Sequence, residues 1–136
     1  MTNLVGIPAN MLADEWPVIQ PLIIKACAGS NGRFMPSDMA KAIAEREIQL
    51  WAMRDGNDTQ GITLTRLVKF PRLTACELIA CVGENMSEWV DNISVIEAWA
   101  KENGAKQSHA VARKGWARVL DKYGYEHTHS LLEKTL

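Results

Sequence analysis

The feature that most limits how this chain can fold lies between Ile48 and Val82, where helical spacing gives way to three strand-like runs in succession. Ile48-Gln49-Leu50-Trp51-Ala52-Met53 reads as a strand, and Asp55-Gly56-Asn57-Asp58 follows as a turn signal. Gly61–Phe70 is a long run rich in β-branched residues. Pro71-Arg72 turns the chain again, and Thr74–Val82 makes a third strand. Strands joined by short turns pair antiparallel, and their side chains alternate between faces. The region therefore predicts an antiparallel meander, whose apolar face needs helices or another sheet to cover it.

The flanks supply helices. Before the meander, Leu4–Leu12 reads as a short first strand interrupted by Pro8. Asp14 is the expected cap of a helix in which Trp16, Ile19, Leu22, Ile23 and Ala26 recur at helical spacing. Pro21 is expected to kink or restart that helix, because its ring nitrogen has no N–H to donate. Gly29-Ser30-Asn31-Gly32 ends it, and Ser37 is expected to cap a second helix over Asp38–Arg46. After the meander the longest helix is predicted over Met86–Asn103, with Met86, Trp89, Ile93, Ile96 and Ala100 on one stripe widened by Val95 and Trp99. A short strand over Ser108–Arg113, a short helix over Trp116–Tyr123 closed by Gly124, and a final strand region over Tyr125–Leu136 complete the chain.

A length of 136 residues fits one domain, 1–136, and an apolar content of 47% supplies a core for it. The formal net charge of −1, with no basic stripe, argues against nucleic-acid binding. Cys27, Cys76 and Cys81 form no CxxC pair, so they are expected as buried free thiols in a reducing, cytoplasmic setting. Cys76 and Cys81 are an odd number of residues apart, which in a regular strand puts them on opposite faces. The N-terminal MTNLVGIPANML lacks the pattern of a signal peptide, and no apolar run reaches the ~20 residues that span a bilayer.

The order strand, two helices, three meander strands, helix, strand, short helix and terminal strand resembles the GNAT superfamily of N-acetyltransferases over nearly the whole chain. Glu97-Ala98-Trp99-Ala100-Lys101-Glu102-Asn103-Gly104-Ala105 looks like the end of that family's central helix, and Tyr123-Gly124-Tyr125 like the ending of its last helix. Arg113-Lys114-Gly115-Trp116 followed by Val119-Leu120 is most similar to small GNAT-like proteins encoded by tailed bacteriophages. The resemblance implies an α/β (α+β) fold with a mixed, mostly antiparallel sheet flanked by helices. It also implies acetyl-coenzyme A as the candidate cofactor.

In this family the loop after the fourth strand carries Arg/Gln-x-x-Gly-x-Gly/Ala, whose glycines let backbone N–H groups wrap the cofactor's pyrophosphate. The corresponding stretch is Val82-Gly83-Glu84-Asn85-Met86-Ser87-Glu88-Trp89, with one glycine, no basic residue and two carboxylates. Asn85 with Glu88 three residues later matches a capping box, which needs no phosphate. Val82 and Gly83 are the candidate cofactor-binding residues here, with Arg113 and Lys114 as candidate phosphate ligands at the next strand–helix junction. A solvated basic edge explains that last pair equally well. The family's frequent general acid is a tyrosine where this chain has Leu120, which has no proton to give. Glu77 is the carboxylate available near the fourth strand as a general base, and an exposed strand glutamate is the competing explanation.

Two imidazoles of His127-Thr128-His129 share a face if that segment is a strand, but zinc requires more ligands, so no metal site is expected. The five tryptophans are mostly core by spacing; Trp51 and Trp116 are the two more suited to a cleft or a partner surface, although core packing is the favoured reading for them as well. Two functions compete. One is a non-catalytic protein that keeps the fold to bind a protein partner, as a phage virion component or host-interaction factor. The other is an acetyl-CoA-dependent N-acyltransferase of an unidentified amine. The missing glycines and tyrosine and the added carboxylates favour the first.

Overall fold

The computed structural model describes residues 2–84, 86–112 and 114–136, and the side chains of all of these except Met86, Ser87 and Lys114. Five strands form one sheet in sequence order: β1 (Thr2–Ile7), β2 (Gln49–Asp55), β3 (Asp58–Lys69), β4 (Thr74–Gly83) and β5 (Ala105–Ala110). The first four are antiparallel neighbours, and β5 runs parallel to β4. Helices α1 (Leu12–Ala28) and α2 (Pro36–Ala44) lie between β1 and β2 in sequence. Helices α3 (Met86–Asp91) and α4 (Ile93–Glu102) precede β5, and α5 (Lys114–Asp121) follows it. The meander and the mixed, mostly antiparallel sheet with helices are therefore as expected. A parallel β4–β5 pair requires a crossover connection, which α3 and α4 provide.

The sheet separates two apolar clusters. On one face Ile19, Ile23, Met39 and Ile43 from α1 and α2 pack on Ile48, Leu50, Ile62 and Leu64. On the other, Trp89, Val90, Ile93, Ile96 and Ala100 pack on Trp51, Met53, Cys76 and Leu78. Trp51 and Trp99 meet edge to face with centroids 5.5 Å apart, and Trp89 meets Trp116 likewise at 5.6 Å, a favoured aromatic arrangement. Trp51 is thus core, the reading favoured for it from the sequence. Its indole N–H donates to the buried Thr65 hydroxyl at 3.0 Å, which in turn donates to Gln49 at 3.0 Å.

Several boundaries differ from the sequence reading. The first strand ends at Ile7. Pro8 opens a 3-10 turn over Ala9–Met11, and α1 starts at Leu12, so Asp14 sits inside the first turn instead of capping it. The helix passes through Pro17 and Pro21 without restarting. Full burial of Ile19 and Ile23 offsets an interior proline's cost of ~3 kcal/mol. In α2 the cap position is Met35, with Pro36 as first helical residue; Asp38 accepts the Met35 N–H at 2.9 Å, so Ser37 has no capping role.

The expected long helix is two, broken at Asn92, whose side-chain amide donates to the Glu88 carbonyl at 2.9 Å. Its N–H bonds the Trp89 carbonyl three residues back, a tightened turn that ends α3. At 17 residues, α1 is the longest helix. Val95 is exposed and does not widen the buried stripe. The last strand and helix begin earlier than expected, at Ala105 and Lys114. Residues 125–136 form no strand, which corrects the reading of a terminal strand.

Candidate functional site

The two parallel strands part company. Ladder pairs run from Thr74–Ala105 to Leu78–Ala110, and none follows, although β4 continues to Gly83. The β3 register explains where they separate. Leu64 faces Ala80 but Thr65 faces Leu78, so Ile79 is an extra residue in β4. Such a bulge bends its strand and increases the local twist. The fork between β4 and β5 opens at that bulge, and among the described residues the main chain of β4 beyond it makes no ladder pair on the β5 side.

The bulge also overturns a parity argument. Cys76 and Cys81 would face opposite sides of a regular strand. The extra residue restores the phase, and both pack against the α3–α4 cluster. All three cysteines are free. Burial, with the Glu97 and Glu77 carboxylates adding to it, pushes the Cys76 thiol up to about 11. Burial pushes Cys81 up to about 12, against a lowering by its contact with the Thr63 hydroxyl. Neither thiol is a nucleophile at neutral pH.

Glu77 stands one residue before the last ladder pair, beside the fork. Arg66 on β3 and His109 on β5 are its register partners, so the three side chains form a row across three strands. Arg66 Nη2 donates to Glu77 Oε1 at 3.1 Å, and His109 Nε2 lies 3.3 Å from Oε2. The carboxylate is only 20% exposed. The row is on the sheet face of Leu64, which carries α1 and α2. This is not a solvated strand glutamate. It is a carboxylate oriented by two partners, which can exchange a proton with an imidazole or an approaching amine.

Val82 and Gly83 lie at the end of β4. Gly83 has φ +142°, and a Cβ there would come within 2.4 Å of the Gln60 carbonyl oxygen and of Gly61 Cα. The Glu84 N–H donates to that same carbonyl at 2.9 Å. The glycine is needed for close passage against β3, and the first N–H beyond it is already committed. Glu88 accepts a hydrogen bond from the Thr2 hydroxyl at 2.6 Å. These described residues do not form a cradle for a diphosphate. Asn85 and Arg113 lie outside the described residues, as does the Lys114 side chain, so the expected capping box and basic pair fall there.

Sequence reasoning missed two sets of residues. Arg66 and His109 could be joined to Glu77 only through strand register. On the opposite face Tyr125 donates to Glu97 at 2.9 Å and accepts from Ser108 at 2.7 Å. Burial raises its phenol well above the ordinary range. Leu120, where the family places its acid, is buried in the core, and Tyr123 bonds the Asp91 carboxylate at the surface. His127 and His129 are exposed in the tail, not paired on a strand, and no group of three metal-ligating side chains occurs among the described residues. Among those residues, too, no helix is long and apolar enough to cross a membrane.

No protein-family model matches the chain, and no curated protein matches its sequence. Solved structures do. A predicted acetyltransferase from Clostridium acetobutylicum, crystallised with acetyl-CoA, superposes with a TM-score of 0.70 at 16% identity, covering 99% of this chain and 96% of that one. An aminoglycoside acetyltransferase from an uncultured soil metagenomic sample, in complex with sisomicin, gives 0.72 at 12% identity over 99% and 96%. The chain has the GNAT acetyltransferase fold. A ribosomal-protein-alanine N-acetyltransferase from Brucella melitensis is similar too, with 0.66 at 10% identity over 100% and 98%. Identities this low establish a shared architecture, in which fold and function are separate questions.

Proposed function

We propose that this chain keeps the acetyltransferase fold as a binding protein, of the kind tailed phages encode, and has lost the grip on acetyl-coenzyme A. One observation carries the reading. The end of β4 spends its glycine and its first N–H on contacts with Gln60, where a cofactor site would present them to a pyrophosphate. Glu84 and Glu88 then put negative charge beside that position. Like charges a few ångströms apart repel by ~1–4 kcal/mol even in well-screened surroundings. A protein partner, in the virion or the host cytoplasm, is the ligand this reading expects. Calorimetry with acetyl-coenzyme A tests it: no heat of binding is expected, and micromolar binding overturns it.

A second reading has its own support. The fork at Ile79 and the Arg66–Glu77–His109 row are arranged for acyl transfer to an amine, with acetyl-CoA as donor, as the acetyl-CoA complex of the Clostridium protein makes plausible. In that case Glu77 accepts the amine's proton, and Glu77→Gln abolishes acetylation while leaving cofactor binding intact.

A further inference from the structure

We propose that a second copy of this chain covers the outer side of α1, the two helices packing antiparallel about a two-fold axis midway along their length. A surface helix ordinarily turns a polar side to water, and a helix apolar on both sides is buried on both. The inner side of α1 carries Leu12, Ile19, Ile23, Ala26 and Cys27. Ala13, Pro17, Pro21, Ile24 and Ala28 follow at helical spacing on the opposite side, and all five are exposed. No charge and no side-chain hydrogen-bonding group interrupts that line along the whole helix, a length of about 25 Å. Ile24 on the line is 48% exposed, and Val18 beside it 54%.

The prolines suit such a contact. A proline in mid-helix costs stability, and neither Pro17 nor Pro21 lies on the buried side, where packing could call for it. Proline and alanine lose no side-chain rotamer freedom when they are covered, so the ordering cost of association along this line is small.

Charge identifies the occupant. Asp14 in the first turn of α1 and Lys25 in its last turn flank the same edge of the apolar line, since eleven residues make close to three whole turns. Both are exposed, and neither has an ion-pair partner among the described residues. A two-fold axis across the middle of the helix sets that edge against itself in reverse, so Asp14 of each copy meets Lys25 of the other. The same operation sets Pro17 against Pro21 and Ala13 against Ile24, small against large. A parallel pair would instead place like charges together. The contact is isologous and closes as a dimer. It goes beyond the binding role proposed above and holds whether or not coenzyme A binds.

Sedimentation equilibrium at low salt tests it. One helix pair lies at the small end of specific interfaces, below about 1,200 Å² of total buried surface, so the full chain is expected to reach twice its mass of 15.1 kDa in the upper micromolar range. Ile24→Glu puts two carboxylates into the contact and is expected to leave a monomer. Asp14→Lys and Lys25→Asp each set like charges together twice, and each is expected to weaken association about tenfold at low ionic strength. Mixed in equal amounts, those two variants regain both opposite-charge pairs, and a heterodimer as tight as the unsubstituted dimer is expected. The replaced side chains are exposed, so circular dichroism is expected to be unchanged in all three variants. Should Ile24→Glu disturb folding, the charge mixture decides. A full chain still monomeric at millimolar concentration overturns the proposal and leaves the outer side of α1 to another protein. A dimer that survives Ile24→Glu in a folded chain overturns it too, as does a mixture that associates no better than its two components.

Discussion

Gly83 shows how a motif residue and a structural residue can be the same glycine for different reasons. Its φ of +142° is one that L side chains rarely adopt, and main-chain atoms of β3 occupy the Cβ position. Neither obstacle yields to a side-chain rotation. Gly83→Ala is therefore expected to destabilise the fold by about 1–3 kcal/mol, read from urea melts without any ligand. A neutral outcome would return this glycine to a ligand-binding role. At Cys76 and Cys81 the thiols stay protonated, so native protein is expected to resist iodoacetamide, with Cys76 modified only on unfolding. Mass spectrometry of the alkylated peptides distinguishes them. Rapid native modification of Cys76 would mean that the α3–α4 face opens readily.

Elements differ in how far they could be read from sequence, and the reasons are physical. The three meander strands were legible because β-branched runs alternate between turn signals, and the stripe of Trp89, Ile93, Ile96 and Ala100 because helical spacing survives a break of one residue. That break at Asn92 was not legible: a tightened turn leaves the apolar phase nearly unchanged. The terminal strand failed for the opposite reason, since alternation describes a strand but does not supply its partner. Trp89→Ala and Ile93→Ala test the shared stripe. Both side chains are buried, at 3% and 2% exposure, and each truncation is expected to cost ~2–5 kcal/mol in chemical denaturation. A loss under about 1 kcal/mol for both would mean that α3 and α4 are not core elements, against the range for buried large side chains. Of the candidate site, Glu77 was legible as a lone carboxylate. Its partners Arg66 and His109 come from register, and the fork comes from a bulge that no residue type announces.

Across the whole molecule, three raised titrations lie on one side of the sheet, while Cys27, also raised by burial, lies on the other. Cys76 and Cys81 pack under α3 and α4, and Tyr125 closes the same side from beyond α5. Each of these groups holds its proton more tightly folded than unfolded, because burial disfavours the anion. A folded pKa above the unfolded one gives a contribution that is complete below the unfolded value and lost as pH rises through the folded value. For the thiols that window opens at the ordinary value of 9.0 and runs to about 11 for Cys76 and about 12 for Cys81. For Tyr125 it opens at 10.0. Stability is therefore expected to hold level from pH 7 to about 9 and then to fall, with Cys76 alone accounting for about 2–3 kcal/mol once fully titrated. Urea melts at stepped pH measure the slope. Tyr125→Phe should flatten its upper part, since the phenol no longer titrates, while lowering stability at neutral pH through the lost bonds to Glu97 and Ser108. A melt midpoint that stays constant from pH 9 to 11 in the unsubstituted chain would mean that water reaches these groups in the native state, and that the α3–α4 side of the sheet is not the closed core from which their titration is argued.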